Sequence, residues 1–185
     1  MLEEVLIAGF GGQGIMSTGQ LLAYAGMQEQ KHVAWIPSYG PEMRGGTANC
    51  GITLSDTPIS SPLVTEPTCL LAMNQPSFEK YAPMVVPGGI IFYNSSLINT
   101  GGISVPYPIF AIPANAIAEE LGNVRVACNV LLGAYLGYSK VIPVDAAVRA
   151  LEKVLPPHRH KLIPVNQKAL EKGAALGREY RKGGA

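Results

Sequence analysis

Apolar and polar positions change period repeatedly along the chain. EVLIA at residues 4–8 is a short, strand-forming apolar run that ends at Gly9. IMSTGQLLAYAGMQEQ at 15–30 follows with Leu21, Leu22 and Ala25 at helical spacing, so a strand, a glycine-rich turn and a helix are predicted in that order. HVAWI at 32–36 predicts a second strand stopped by Pro37, and SYGPEMRGG at 38–46 an irregular loop long enough to build a site. Between Asn49 and Ser55 polar and apolar residues alternate, which predicts a strand with one buried face, pairing at a sheet edge.

CLLAM at 69–73 and GIIFYN at 89–94 are continuous apolar runs, with SFEKYAPMV between them as a crossover helix, a second βαβ-like unit. IFAI at 109–112 predicts another strand, and NAIAEEL a short helix that Asn115 is suited to cap. The stretch 124–138, apolar but interrupted by Arg125, Asn129 and two glycines, reads as a buried helix. Val144, Ala147, Val148, Leu151 and Leu155 then recur at helical spacing, as do Val165, Ala169, Leu170, Gly173, Leu176 and Tyr180. Prolines bound the connector PPHRHKLIP at 156–164 and keep those two helices apart. The expected fold class is α/β: a single domain over residues 1–185, with a mostly parallel sheet flanked by helices and a helical C-terminal layer.

Composition narrows the partners. Fourteen Lys and Arg stand against 13 Asp and Glu, which leaves no excess charge to draw the chain to nucleic acid or an anionic membrane. The stretch 124–138 is shorter than the roughly 20 residues a membrane-crossing helix needs. The start, MLEEVLIAGFGG, lacks the positive first region of an export signal, so a cytoplasmic location is expected. Cys50, Cys69 and Cys128 are odd in number, and their spacings fit neither zinc nor iron–sulfur ligation. They read as reduced core or interface thiols, with no metal held by this chain.

Two segments carry candidate chemistry. GFGGQG at 9–14 satisfies G-x-G-x-x-G through Gly9, Gly11 and Gly14, with Gly12 and Gln13 inside the turn. It follows a predicted strand and opens a predicted helix, where free backbone amides favour a phosphate. A dinucleotide site also needs an acidic residue about 20 residues further on, and Val33 to Ser38 contain none. A standard NAD site is therefore disfavoured, while another phosphate ligand and a purely structural turn both remain open. In the second segment Arg44 is the only cation of Ser38, Tyr39, Gly40 and the residues up to Asn49, and Gly45, Gly46 and Thr47 would expose amides beside it. Such a loop suits a carboxylate or phosphate, or a subunit contact.

GFGGQG at 9–14, WIPSYGPEMRGGTANC at 35–50, AMNQPSFEKY at 72–81, VPGGIIFYNSSLI at 86–98 and IPANAIAEELGNVRVACNVLLGAYLG at 112–137 together resemble the gamma subunit or domain of 2-oxoacid:ferredoxin oxidoreductases, nearly along the whole chain. The second motif looks most like the 2-oxoglutarate branch, with pyruvate, branched-chain and indolepyruvate relatives alongside. The resemblance implies a subunit of a complex that oxidatively decarboxylates a 2-oxoacid, transfers the acyl group to coenzyme A and reduces ferredoxin. It further implies that thiamine diphosphate sits on alpha and beta subunits and iron–sulfur clusters on a cluster-binding subunit. The gamma chain would then help assembly and contribute to the coenzyme A region, without a catalytic residue of its own.

Asn74 and Gln75 follow the predicted strand CLLAM, where α/β proteins bind ligands, although a helix cap explains Asn74 as well. Asn94, Ser95 and Ser96 could line the same crevice but read better as turn residues, and His158 and His160, an H-x-H pair without convincing further ligands, as a solvated loop or interface rather than a metal site. Two rival functions stand beside the subunit reading. A stand-alone nucleotide- or phosphate-binding protein would bind its ligand without partners, and a structural module would use the glycines for packing alone. Apolar partner-facing surface also predicts a homodimer of the isolated chain.

Overall fold

The computed structural model describes residues 1–39 and 47–183. Its strands are β1 (Leu2–Phe10), β2 (His32–Tyr39), β3 (Thr47–Ser55), β4 (Cys69–Ala72), β5 (Ile90–Asn94) and β6 (Ile109–Ile112). They form one sheet in the order β2-β3-β1-β4-β5-β6. β1, β4, β5 and β6 pair in parallel, and β3 runs antiparallel to both β1 and β2. Only β3 is therefore reversed, and the mostly parallel α/β fold expected from the sequence is the one formed.

The continuous apolar run in β1 reflects burial on both faces, because Val5, Leu6, Ile7 and Ala8 are all buried. Val5 and Ile7 face a layer made by α1 (Ile15–Gln28), α3 (Ala114–Glu120), α4 (Ala127–Ser139), α5 (Val144–Val154) and α6 (Ile163–Lys182). Leu6 and Ala8 face the other way, onto α2 (Gln75–Tyr81) and the apolar residues of 98–107.

Three expectations need correction. β3 lies inside the sheet rather than at its edge, and from Cys50 to Ser55 both of its faces are buried. The polar side of its alternation is covered by chain, since Val64 packs against Gly51. β2 does not stop at Pro37 but runs on to Tyr39, with Pro37 opposite Cys50. β2 is the outermost strand, so a missing N–H on its outer side breaks no ladder bond. Asn115 does not cap α3, whose N-cap is Pro113; its Oδ1 accepts instead from Asn94 Nδ2 at 2.8 Å. The opposite edge, β6, is guarded by α6, where the Tyr180 hydroxyl donates to Ala111 O at 2.7 Å.

α4 and α6 run side by side in the same direction. A Cβ at Gly133 or Gly137 would strike the carbonyls of Leu170 or Ala174, and one at Gly173 or Gly177 those of Val130 or Ala134. Bare backbone on both helices is what lets them approach so closely.

Candidate functional site

β1 and β4 are adjacent and parallel, yet the chain leaves them towards opposite faces. After β1 it enters α1 in one layer, and after β4 it enters α2 in the other. Such a switch of sides opens a crevice beyond the strands' carboxyl ends, which is where open α/β sheets bind ligands. The glycine-rich turn sits there. Gly9 lies so close to its neighbours that a Cβ would come within 3.0 Å of Met73 Cβ, Ile15 Cδ1 and Gln13 Oε1. Gly12 and Gly14 take φ values of 89° and 82°, a region closed to most side chains. Gly12, rather than the Gly11 of the sequence pattern, therefore supplies the second conformational requirement.

Gln13 braces the turn. Its Oε1 accepts from Phe10 N at 2.7 Å, and its own N–H donates to Phe10 O at 3.2 Å. Helix α1 then begins without a side-chain cap and without an acid in its first turn. Its first backbone bond is Thr18 N to Gly14 O at 2.9 Å, so the amides of residues 15–17 have no acceptor among the described residues. Uncapped amides at a helix start favour an anion.

These amides open into a cleft of about 700 Å³. Gly11, Gly12 and Gly14 line it with Phe10, Thr47, Arg125 and Arg159, and the Arg125 backbone adjoins the turn, its carbonyl oxygen 3.5 Å from where a Cβ on Gly14 would stand. Among the described residues no carboxylate lines the cleft and neither arginine forms an ion pair. Apolar surface from Ile15, Met16, Leu155 and Leu162 completes it. An anionic group with an apolar body matches this combination of charge and shape.

The sequence-predicted residues separate into groups. Gly11, Gly12, Gly14 and Thr47 reach the cleft, and Gly9 and Gln13 hold its turn in shape. Ser38 is exposed on β2 opposite Asn49, whose Nδ2 donates to Tyr81 Oη at 3.0 Å. Tyr39 ends β2. Gly40, Arg44, Gly45 and Gly46 lie outside the described residues. Asn74 is buried and caps α2 by accepting from Ser77 N at 2.9 Å, while its Nδ2 has no partner among the described residues. Gln75 clasps the backbone of Asn99, accepting at 2.8 Å and donating at 3.0 Å. Neither Asn74 nor Gln75 lines the cleft. Asn94 does the turn work expected of it, accepting from Ser96 N at 3.3 Å. A second groove of about 690 Å³, between 83–87 and 103–107, contains none of the predicted residues.

Arg125 and Arg159 were not foreseen. Both sit in short 3-10 turns, Val124–Val126 and Pro157–Leu162, and only the fold brings those turns to the glycines. The usable local signal was Asn123, two residues before Arg125, whose Oδ1 accepts from Arg125 N at 3.1 Å. His160 Nε2 lies 2.8 Å from Leu155 O and His158 is exposed. No group of three or more His, Cys, Asp or Glu suited to a metal occurs among the described residues. All three cysteines are free and buried.

The topology also explains why the dinucleotide pattern is incomplete. In a dinucleotide fold the strand beside β1 carries the ribose-binding acid at its end. Here the antiparallel β3 stands between β1 and β2, so the end of β2 is one strand removed from the glycine turn.

Fold and cleft together define an α/β protein with an anion-suited glycine turn at a topological switch point. Residues 4–176 match the pyruvate ferredoxin/flavodoxin oxidoreductase family, and the chain belongs to that family. It is 40% identical over 180 residues to the ketoisovalerate oxidoreductase subunit VorA of Methanothermobacter thermautotrophicus, covering 97% of this chain but 37% of the relative. The chain thus spans little more than a third of that protein's length. It is 30% identical over 182 residues to the 2-oxoglutarate synthase subunit KorC of Methanocaldococcus jannaschii, covering 97% and 96% of the two chains. Among solved structures, the gamma subunit of a keto/oxoacid ferredoxin oxidoreductase from Geobacter sulfurreducens superposes with a TM-score of 0.82 at 28% identity, over 96% of this chain and 99% of that one. The family resemblance drawn from the motifs is borne out.

Proposed function

We propose that this chain is the gamma-type subunit of a multi-subunit 2-oxoacid:ferredoxin oxidoreductase, with its glycine-turn cleft directed at coenzyme A. The observation that carries the proposal is the match along nearly the whole chain to the 2-oxoglutarate synthase subunit KorC and to a gamma-subunit structure. The complex would decarboxylate a 2-oxoacid to an acyl-coenzyme A and carbon dioxide, with the electrons passing to ferredoxin. Thiamine diphosphate and iron–sulfur clusters would reside on alpha, beta and cluster-binding partners, because carbanion and electron-transfer chemistry belongs to those groups. Among the described residues the cleft offers backbone donors and the cations Arg125 and Arg159, which suits binding and assembly.

2-Oxoglutarate is the substrate put forward first, on SYGPEMRGGTANC at 38–50 and the KorC relatives. The 40% identity to VorA favours a branched-chain 2-oxoacid as the second reading. The test is to tag the chain in its native host, purify it without oxygen and measure coenzyme A-dependent viologen reduction with 2-oxoglutarate, pyruvate, branched-chain 2-oxoacids and indolepyruvate. Activity in a complex containing thiamine- and cluster-binding subunits supports the proposal and selects the substrate. A lone chain without such partners overturns it. In the complete complex, Arg44→Ala should weaken coenzyme A binding if the second loop contributes; unchanged affinity would leave that loop a packing element.

A further inference from the structure

A partly buried polar chain crosses the helical layer beside the cleft. The Thr18 hydroxyl donates to Asn129 Oδ1 at 2.8 Å, Asn129 Nδ2 donates to Asn166 Oδ1 at 2.7 Å, and Asn166 Nδ2 donates to Leu162 O at 2.8 Å. It therefore starts on α1, one turn beyond the glycine-rich turn, passes through α4 and α6, and ends on the last residue of the turn that carries Arg159. Thr18 and Asn166 are buried, at 2% and 8% exposure. Partners lost in such a place leave polar atoms unpaired, so the chain holds its members at fixed separation. The same turn is fixed at its beginning by Arg159 N donating to Pro156 O at 2.8 Å and by the contact of His160 with Leu155 O.

We propose that the Thr18–Asn129–Asn166 chain is a positioning device, which sets the Arg159 turn at its working distance from the glycine turn and so tunes the cleft for phosphate-bearing ligands. The proposal rests on reading the cleft as an anion site. Arg125, Arg159 and the uncapped amides of α1 come from segments far apart in sequence, and recognition of one ligand by all three needs their spacing held. Asn166 and Leu162 line the cleft themselves, so the chain ends at the cleft surface. Thr18 is buried behind the wall and acts only through its neighbours.

The test uses the full chain, with inorganic pyrophosphate as probe and calorimetry as readout. Arg159→Gln should weaken binding and reduce its salt dependence by about one phosphate contact. Thr18→Val, which keeps the shape but removes the donor, should weaken binding about tenfold, in line with couplings carried by packed networks, and Thr18→Ser should restore it. The deciding measurement is the double variant. If Thr18 acts through Arg159, Thr18→Val has no further effect once Arg159 is Gln. Additive losses, or unchanged affinity in Thr18→Val, overturn the proposal. Should Thr18→Val fail to fold, Asn166→Ala takes its place in the same cycle. Wild-type protein that does not bind pyrophosphate removes the anion site and this proposal with it, whereas membership of an oxidoreductase complex stands or falls on co-purification.

Discussion

Gly177→Ala would normally strengthen a helix, because alanine is favoured over glycine by about 1 kcal/mol in a helix interior. In this protein the sign should reverse. The added Cβ would meet the Ala134 carbonyl at a separation under the 3.0 Å that real Cβ atoms keep. The obstacle is backbone, which cannot rotate aside as a side chain would. To reach ordinary contact the two helices must separate by roughly 1 Å, and that movement loosens the matching contacts of Gly133, Gly137 and Gly173, a case of overpacking that typically costs 1–3 kcal/mol or more. After the propensity gain, a net loss of about 2 kcal/mol remains. For a domain of this size that is a fall in Tm of about 4–8 °C. Urea unfolding followed by circular dichroism gives the free energy directly. Gly183→Ala is the control, since its Cβ would meet nothing closer than 3.7 Å, and it should be neutral. A double variant, Gly133→Ala with Gly177→Ala, should lose less than the sum of the two, because one separation accommodates both methyls. An unchanged or raised midpoint in Gly177→Ala would falsify the close-packing account of α4 and α6.

Burial pushes the Cys50 and Cys128 thiols from an ordinary 9.0 up to about 12. Unfolded chains therefore release these protons first, so stability is full below pH 9.0 and falls as pH rises towards about 12. Cys128→Ala should flatten that alkaline decline in urea titrations under reductant, and in wild-type protein no thiol should react with a disulfide reagent before unfolding. Asn74→Ala removes the cap of α2 and should destabilise by about 0.5–2 kcal/mol; a neutral result would mean that the unpaired Nδ2 already offsets the cap. Pro37→Val restores an N–H to the outer strand and should raise self-association, seen as faster sedimentation at high concentration. Identical profiles for the two proteins would show that Pro37 does not guard this edge.

The strands were legible because burial on both faces leaves a plain mark. EVLIA, CLLAM and IIFYN are apolar runs, and each became an interior parallel strand. β3 misled for a physical reason. Its polar residues Asn49, Thr53 and Ser55 suggested a wet face, but chain between β3 and β4 packs over that side, and local alternation records polarity rather than what later folds on top. Pro37 misled in the opposite sense, since proline stops a strand only where its N–H is required, and on an outermost strand it is not. The paired glycines of α4 and α6 were visible as Gly133 and Gly137, four apart, and as Gly173 and Gly177. Nothing local said that the two sets would face each other.

The site divides along the same line. Its glycine wall is contiguous in sequence, because turn geometry and helix start must follow one another along the chain, and contiguity made it readable. Its cationic wall is assembled from turns at 124–126 and 157–162, and each arginine alone looks like an ordinary solvated charge. What joins them to the glycines is the parallel packing of α4 and α6, which carries the ends of both turns to the start of α1. Asn129 and Asn166 bond to each other across α4 and α6, and Thr18 of α1 donates to Asn129, so that each side chain is bonded to the next. A packing layer that needed only stability would be served as well by apolar residues of the same volume. Polar residues in a fixed order, ending on the Arg159 turn, are explained by a need for fixed spacing between the walls of the cleft.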